Sequence, residues 1–305
     1  MEKFTLHILG CGSAKPTLRH LPTAQIVDVH DKFYMIDCGE GAQVMMQRMQ
    51  LPMLKLNCIF ISHNHGDHVF GLPGLLSTMA LLGRTAALDI YGPEDLNDLL
   101  ELTNRIYLEG IGYEVRFHPV RTREHYLIME DRSIRVWAIP LVHRVPCVGY
   151  LIEERQGLPH IRREMIDAFN IPTWQINNIK AGQGWVTEDG TVLTHEMLTT
   201  PAAPARRYAY CSDTRYRREL SDILRGVDLL YHEATYPEEL QLRAQQTLHS
   251  TAREAARTAL DAGVKKLIIG HYSARIKDEE CLLKEAKSVF RDCILAKEGM
   301  KIDIF

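Results

Sequence analysis

The stretch His63-Asn64-His65-Gly66-Asp67-His68 places four potential metal ligands in a short run of chain. Imidazole and carboxylate groups suit zinc, with manganese and iron as lesser candidates. In an extended turn, His63 and His65 can point to one ion, while Asp67 and His68 are offset toward a second. A lone loop histidine is more often an ordinary polar residue, but this spacing predicts a hydrolytic site that holds two metal ions.

The segments around this cluster alternate between strand-like and helix-like patterns. Residues 57–62 form a short apolar strand that ends at the cluster, and a helix signal follows at Gly71-Leu72-Pro73. A second helix is predicted to open at Pro93, with an apolar face that includes Leu96 and Ile106. This alternation predicts an α/β fold.

A second half with the same pattern begins near Ser133. Residues 134–139, 208–211 and 264–269 read as strands, and Thr251-Ala252-Arg253-Glu254 has the form of a capping box. The helix after this box is predicted to turn its alanines and Leu260 inward and to end at Gly263. Polar residues recur directly after strands in both halves, which is where α/β folds tend to place active sites.

Three residues after strand-like runs are candidates to complete two metal shells. His143 follows residues 134–139, Asp213 follows 208–211, and His271 follows 264–269. Taken singly, each could equally be a satisfied structural polar residue. Together they supply the missing ligands, and the Asp213 carboxylate could bridge two cations. Two divalent ions can acidify a water and clamp the attacking and leaving oxygens of a phosphodiester.

The catalytic protons require further groups. Asp67 belongs to the cluster and is the candidate general base. His249 precedes a helix N-terminus that favours phosphate oxygens, and a protonated His249 could donate to the departing oxygen. Glu233 could orient His249 and raise its pKa. The alternative for His249 and Glu233 is an ordinary structural role.

Composition and charge narrow the class of protein. The net charge of −3 argues weakly against indiscriminate coating of nucleic acid, and no apolar run is long enough to predict a membrane span. The seven cysteines are scattered and form no Cys-x-x-Cys pair, which fits a reducing compartment. The sequence therefore predicts a cytoplasmic enzyme.

One long segment, residues 153–204, does not fit the alternating pattern. It is rich in glycine and proline and contains one helix-like stretch, residues 160–169. A segment of this length between core strands is usually functional or mobile, and the alternative is a plain surface excursion.

The chain resembles the ribonuclease Z family over nearly its whole length. The opening loop, residues 9–19, matches the family, and the metal motif runs directly into Val69-Phe70-Gly71-Leu72-Pro73-Gly74-Leu75-Leu76. This extension makes the match specific, because many hydrolases share His-x-His-x-Asp-His alone. The remaining matching motifs are Ile36-Asp37-Cys38-Gly39-Glu40-Gly41-Ala42-Gln43, Ser212-Asp213-Thr214, His232-Glu233-Ala234-Thr235, His249-Ser250-Thr251 and Gly270-His271-Tyr272-Ser273-Ala274-Arg275.

The resemblance implies a four-layer αβ/βα sandwich, the metallo-β-lactamase fold, formed by a single domain over residues 1–305. Segment 153–204 would be a protruding arm inserted within it. The implied ligand sets are His63, His65 and His143 on one zinc ion and Asp67, His68 and His271 on the other, with Asp213 bridging. Asp67 would be the general base, and His249, aided by Glu233, would be the general acid or a phosphate contact.

The resemblance also implies the substrate and the assembly. The expected reaction is endonucleolytic cleavage of a tRNA precursor after the discriminator base, leaving a 3′-hydroxyl on the tRNA and a 5′-phosphate on the trailer. The expected assembly is a homodimer in which the arm of one subunit grips tRNA bound to the other.

The arm sequence departs from the family, and this motivates an alternative. Residues 170–180 lack the usual Gly-Pro-rich tip and basic stretch. Trp174 could stack on an exposed base, although we expect burial in a core or at an interface. The first alternative function is a phosphodiesterase or esterase of the same fold that acts on a small molecule. The second is a tRNA-binding or scaffold protein without catalysis, which would be marked by a lost ligand, and none is lost.

Overall fold

The computed structural model describes residues 3–110 and 112–305, which divide into two compact units. The first unit runs to Glu153 and resumes at Arg206, and the second is Glu154–Ala205. The strands are β1 (Phe4–Gly10), β2 (Ala24–Val29), β3 (Lys32–Cys38), β4 (Leu56–Phe60), β5 (Leu88–Gly92), β6 (Val115–Pro119), β7 (Leu127–Glu130), β8 (Ile134–Pro140), β9 (Val148–Glu154), β10 (His160–Ile161), β11 (Trp185–Val186), β12 (Val192–Leu193), β13 (Thr199–Thr200), β14 (Arg207–Cys211), β15 (Leu229–Glu233), β16 (Lys266–Gly270), β17 (Cys293–Leu295) and β18 (Lys301–Asp303). The helices are α1 (Ala42–Arg48), α2 (Gly66–Val69), α3 (Leu72–Leu81), α4 (Leu96–Tyr107), α5 (Arg163–Ala168), α6 (Ile176–Lys180), α7 (His195–Leu198), α8 (Leu220–Ile223), α9 (Gln241–Thr247), α10 (Ala252–Ala262) and α11 (Glu280–Lys287), with 3₁₀ turns at Met53–Lys55, Thr173–Gln175 and Glu238–Leu240.

The first unit contains two seven-stranded mixed sheets, which correspond to the two halves of the sequence. The first sheet has the order β18-β1-β2-β3-β4-β5-β6, and the second has the order β17-β16-β15-β14-β9-β8-β7. Strands β3 to β6 run parallel to one another, as do strands β14 to β17. Parallel strands bring their carboxyl ends to a common edge, so loops that follow them can share one site.

Alternating side chains divide the core into layers. In β3, Tyr34 and Ile36 belong to a core that includes buried residues of both sheets, whereas Phe33 and Met35 belong to a second core with α1, α3 and α4. Since side chains alternate across a strand, the first sheet is covered on both faces. The apolar faces of α10 and α11 join the core shared by the sheets. This arrangement agrees with the predicted αβ/βα sandwich.

A close backbone contact explains why glycine stands at position 71, shortly after the His63–His68 cluster. The Gly71 amide donates to the Cys38 carbonyl at 2.8 Å, and a Cβ on Gly71 would collide with the Gly39 backbone. Only glycine permits this approach. The contact joins the turn after β3 to the start of α3.

The second unit has a small core of its own. Ile171, Ile179, Leu193 and Leu198 are buried together, and the short strand pairs are β10–β13 and β11–β12. Trp174 is 71% exposed within the chain, so it is not part of this core. Its burial at an interface stays a prediction.

Several sequence predictions about the elements were confirmed and three were wrong in detail. The capping box at Thr251 is present, and Gly263 ends α10 with φ 62°. The helix predicted from Pro93 begins at Leu96, and Ile106, expected on its apolar face, is 55% exposed. Leu260 is 47% exposed because α10 turns mainly its small alanines toward the core.

The sequence predicted no membrane span, and the helices of the structure bear on this point. Within residues 3–110 and 112–305, no helix has both the length and the apolar character needed to cross a bilayer.

A candidate two-metal centre

All seven predicted ligands lie together at one edge of the first unit. His63 and His65 follow β4, and Asp67 and His68 lie in the short helix α2. His143, Asp213 and His271 follow β8, β14 and β16, respectively. The segments that follow strands of both sheets thus bring the seven predicted ligands together.

One group of possible ligand atoms is formed by His63, His65, His143 and Asp213. His63 Nε2 lies 3.0 Å from His65 Nδ1. Asp213 Oδ2 lies 3.6 Å from both His63 Nε2 and His143 Nε2. These separations are close to the distances between neighbouring ligands around a tetrahedral zinc ion, about 3.3 Å for nitrogen and oxygen donors.

The second group is formed by Asp67, His68 and His271, joined by the other oxygen of Asp213. Asp213 Oδ1 lies 3.0 Å from His271 Nε2 and 3.4 Å from His68 Nε2. Asp67 Oδ2 lies 3.6 Å from both of these imidazole nitrogens. The two oxygens of one carboxylate therefore face two separate sets of ligands, which is the arrangement of a bridging aspartate.

The unsatisfied nitrogen atoms test whether this site fits metal. Nε2 of His68, His143 and His271 are all buried and have no hydrogen-bond partner among the described residues. A buried polar atom without a partner carries a desolvation cost of about 1–3 kcal/mol. A cation would satisfy all three lone pairs, so the residues fit a metal centre.

Hydrogen bonds to the imidazole rings determine which ring nitrogen faces the candidate centre. The Asp37 carboxylate accepts from His68 Nδ1 at 2.7 Å, and the Leu248 carbonyl accepts from His143 Nδ1 at 3.2 Å. Both acceptors require a proton on Nδ1, which leaves the lone pair on Nε2. His271 Nδ1 lies 3.0 Å from the Thr235 hydroxyl. Neither Asp37 nor Thr235 was predicted as a site residue, although they lie in the motifs Ile36–Gln43 and His232–Thr235.

The backbone at these positions is unusual. Asp37, Asp213 and His271 adopt φ values of 55°, 47° and 59°, in the left-handed region that non-glycine residues seldom occupy. Such conformations cost about 1–3 kcal/mol each and cluster at functional sites. Each lies just inside or just after a strand end, where the turn aims its side chain into the site.

His249 and Glu233 form an ion pair beside the centre. His249 Nδ1 donates to Glu233 Oε1 at 2.9 Å. Burial favours a lower pKa for His249, but the charge and hydrogen bond of Glu233 outweigh it, so the pKa is raised. Burial likewise opposes ionisation of Glu233, yet His249 holds the pKa of this carboxyl below its ordinary value. Each partner thus favours the charged form of the other, and Glu233 raises the pKa of His249 in the direction proposed from the sequence.

A cavity of about 520 Å³ opens over the centre. Five of the predicted ligands, His65, Asp67, His143, Asp213 and His271, line it together with His249. Four cationic side chains line the same cavity: Lys15, Arg144, Arg243 and Arg275. Positive charge around a cavity of this kind favours polyanionic ligands such as a phosphodiester chain.

Relatives of this chain share its whole length. It is 52% identical over 304 residues to a ribonuclease Z of Bacteroides thetaiotaomicron, with 100% of this chain and 96% of the relative covered. It is 51% identical to a ribonuclease Z of Parabacteroides distasonis, with both chains covered in full. The chain belongs to the ribonuclease Z family. All positions of the candidate centre lie inside the part of the chain that these ribonucleases Z match.

Solved structures share the fold of this family member. Human tRNase Z, short form, has a TM-score of 0.70 and 24% identity, with 99% of each chain covered. The metallo-β-lactamase fold protein YhfI from Bacillus subtilis has a TM-score of 0.70 and 19% identity, also with 99% of each chain covered. At these identities the likeness shows the metallo-β-lactamase fold. A family model described as anti-Pycsar protein Apyc1 matches residues 4–150.

Proposed function

We propose that this protein is a zinc-dependent endoribonuclease that removes the 3′ trailer from tRNA precursors. It would cut after the discriminator base, leaving a 3′-hydroxyl on the tRNA and a 5′-phosphate on the trailer. The observation that carries the proposal is Asp213, whose two oxygens face separate sets of buried imidazoles, in a chain about half identical over its full length to ribonucleases Z.

Two zinc ions would be held by the two ligand groups. His63, His65 and His143 would bind one, Asp67, His68 and His271 would bind the other, and Asp213 would be shared. When bound, the ions would supply positive charge to the scissile phosphate and make the attacking water more acidic.

Asp67 is the proposed general base. Burial opposes its ionisation, but His68 and His271 lower the pKa of its carboxyl, so the anionic form is favoured. The Ala14 amide donates to Asp67 Oδ2 at 2.6 Å and holds the carboxylate in place. The water oxygen would bond to phosphorus while its proton passes to Asp67.

His249 is the proposed general acid. As the bond between phosphorus and the 3′ oxygen of the tRNA breaks, that oxygen would take the proton of His249, and the phosphate would remain on the trailer. Glu233 would hold the imidazole by its Nδ1–H and favour its protonated form. The water oxygen thus ends on the 5′-phosphate of the trailer, and the proton of His249 ends on the 3′-hydroxyl of the tRNA.

Exposed apolar side chains support a homodimer. Val44 on α1 and Leu81 on α3 are 46% and 86% exposed, and Phe70 and Leu82 beside α3 are 70% and 54% exposed. Exposed apolar side chains of this size on neighbouring helices suit an interface between subunits. The proposed partner is a second copy of the chain, and sedimentation of wild type against Leu81→Glu would test it. A monomeric wild type would contradict the dimer.

The inserted unit is proposed as the arm that contacts tRNA. Trp174 is exposed there and offers an aromatic face on which an unpaired base could stack.

We also propose a cytoplasmic location, which is supported by the free state of all seven cysteines.

Cleavage of a defined RNA tests the function. A precursor tRNA labelled at its 5′ end, incubated with the zinc-loaded protein, should yield a product that ends at the discriminator base. Bis(p-nitrophenyl) phosphate serves as the small control substrate. A metal-replete protein that hydrolyses this phosphodiester and leaves the precursor intact would favour the small-molecule hydrolase instead.

A further inference from the structure

A second group of metal-ligating side chains lies apart from the catalytic ligands, at the base of the loop between β1 and β2. Cys11 directly follows β1, His20 lies near the end of the loop, and Glu298 lies between β17 and β18. Cys11 is fully buried, and the side chains of His20 and Glu298 are only 15% and 17% exposed. We name these three residues the Cys11 cluster.

The distances within the Cys11 cluster match those expected around one ion. Cys11 Sγ lies 3.5 Å from both His20 Nδ1 and Glu298 Oε1. His20 Nδ1 lies 3.2 Å from Glu298 Oε1. Zinc bond lengths to sulfur, nitrogen and oxygen in tetrahedral geometry give ligand separations of about 3.3–3.6 Å. The three atoms therefore form one face of a zinc-sized tetrahedron.

The far side of the His20 ring indicates which nitrogen is free to bind. His20 Nε2 lies 3.2 Å from Glu279 Oε1, and a carboxylate can only accept, so Nε2 carries a proton. His20 Nδ1 lies 3.1 Å from Glu298 Oε2, and the lone pair of a neutral imidazole would repel this carboxylate. Either a second proton on His20 or a cation at Nδ1 must therefore relieve the contact. A carboxylate behind the imidazole, such as Glu279, is the usual partner of a metal-bound histidine.

We propose that Cys11, His20 and Glu298 bind a structural zinc ion separate from the catalytic centre. Sulfur and imidazole donors favour Zn²⁺ over Mg²⁺ or Ca²⁺. The fourth position is open to water or to the Ala296 carbonyl, which lies 3.4 Å from Cys11 Sγ. The alternative occupant is a second proton on His20, which would make a plain ion pair with Glu298.

A metal at this place would fix the loop that enters the catalytic cavity. Between Cys11 and His20, the loop carries Lys15 into the cavity and places the Ala14 amide on Asp67. Tying both ends of the loop to Glu298 lowers the conformational entropy that the loop loses when it is ordered. The site would thus hold Ala14 in register with Asp67 without touching the substrate.

Cobalt substitution tests the proposal with a signal that is independent of activity. The ligand groups of the catalytic centre contain no cysteine among the described residues, so a thiolate-to-cobalt charge-transfer band would report the Cys11 cluster alone. Full-length protein freed of metal and titrated with Co²⁺ should show this near-ultraviolet band. Cys11→Ser should abolish it and lower the bound metal by about one equivalent per chain.

Two further variants keep the experiment decisive. Cys281→Ser removes an exposed cysteine outside the cluster and should leave both the band and the stoichiometry unchanged. Glu298→Gln keeps an oxygen that can accept from the Leu21 amide, so its fold is retained, but its Co²⁺ affinity at this site should fall at least tenfold. No thiolate band in the wild type, or a band that persists in Cys11→Ser, would overturn the proposal and favour the protonated ion pair.

Discussion

Asp37 Oδ2 lies 2.7 Å from His68 Nδ1, and both side chains are fully buried. The same carboxylate accepts from the Ser62 amide at 2.7 Å, the Ser62 hydroxyl at 2.9 Å and the Tyr210 hydroxyl at 2.5 Å. Asp37 therefore receives donors at both oxygens and connects β3 to strands of both sheets. The position of His68 Nε2 in the candidate centre depends on this carboxylate.

The first prediction concerns Asp37→Asn. The amide would turn an NH₂ group toward a buried donor, so the orientation of His68 would be lost. We expect metal affinity and tRNA cleavage to fall about 10- to 100-fold, measured by metal analysis and initial rates. Tyr210→Phe, which removes one donor and keeps the carboxylate, should have a much smaller effect. Equal metal content in Asp37→Asn and wild type would contradict the proposed role.

The second prediction concerns the bridging carboxylate. Asp213→Ala removes the atoms that face both ligand groups, so metal content should fall at both positions and cleavage should be lost. Treatment of the wild type with a chelator should likewise abolish cleavage. Added zinc should restore cleavage by the wild type and should not restore cleavage by Asp213→Ala. The idea of a shared ligand fails if Asp213→Ala keeps two metal ions per chain.

The third prediction separates proton donation by His249 from a structural role. His249→Ala should slow cleavage about 10²- to 10⁴-fold while the metal content stays unchanged. A precursor with sulfur in place of the 3′ bridging oxygen has a leaving group that needs no proton, so it should restore most of the rate to His249→Ala. Glu233→Gln should show a smaller loss with the same rescue. An equal defect on both substrates would indicate that His249 acts only on phosphate binding or structure.

The fourth prediction concerns the inserted unit. Glu153 pairs with Arg207 in the β9–β14 ladder, so the chain leaves and re-enters the first unit at adjacent strand ends. Replacing residues 155–204 by a short Gly-Ser turn should leave a folded protein with wild-type activity on bis(p-nitrophenyl) phosphate. Precursor tRNA cleavage should drop by at least tenfold, and Trp174→Ala should reproduce part of that loss. Unchanged tRNA cleavage by the deletion variant would exclude the arm from substrate binding.

The fifth prediction concerns acid stability. His7 on β1 is 5% exposed, and burial lowers its pKa to about 4, with Asp28, Lys301, Lys3 and Asp303 as the charged groups around it. The folded state resists protonation while the unfolded state takes a proton below about pH 6.5, so stability must fall as the pH drops. When the pH is lowered from 7.5 to 5, the contribution of His7 should reduce the free energy of unfolding by about 1–2 kcal/mol.

Urea denaturation of wild type and His7→Gln at both pH values isolates this contribution. Any acid release of metal is common to the two proteins, so it cancels in the difference between them. An identical loss of stability in both proteins on acidification would contradict the prediction.

Local sequence was sufficient for much of the fold and of the candidate centre. The six-residue cluster His63 to His68 could be interpreted because its ligands are neighbours in the chain. Residues such as Asp213 and His271 could be proposed because each directly follows an apolar strand, a signal that is also local. The capping box at Thr251 was predicted for the same reason, since its two hydrogen bonds join residues three positions apart.

Only the tertiary structure decided how distant side chains combine. Asp37 and His68 are 31 positions apart, and Cys11 and Glu298 are 287 apart. The order and register of the strands in the two sheets decide which imidazoles each oxygen of Asp213 faces. The spacing of apolar residues along the chain does not determine that order or register. The sequence by itself thus determined the kinds of ligand and their place after strands. Strand order, set by burial of both sheets, determined the partners that orient them.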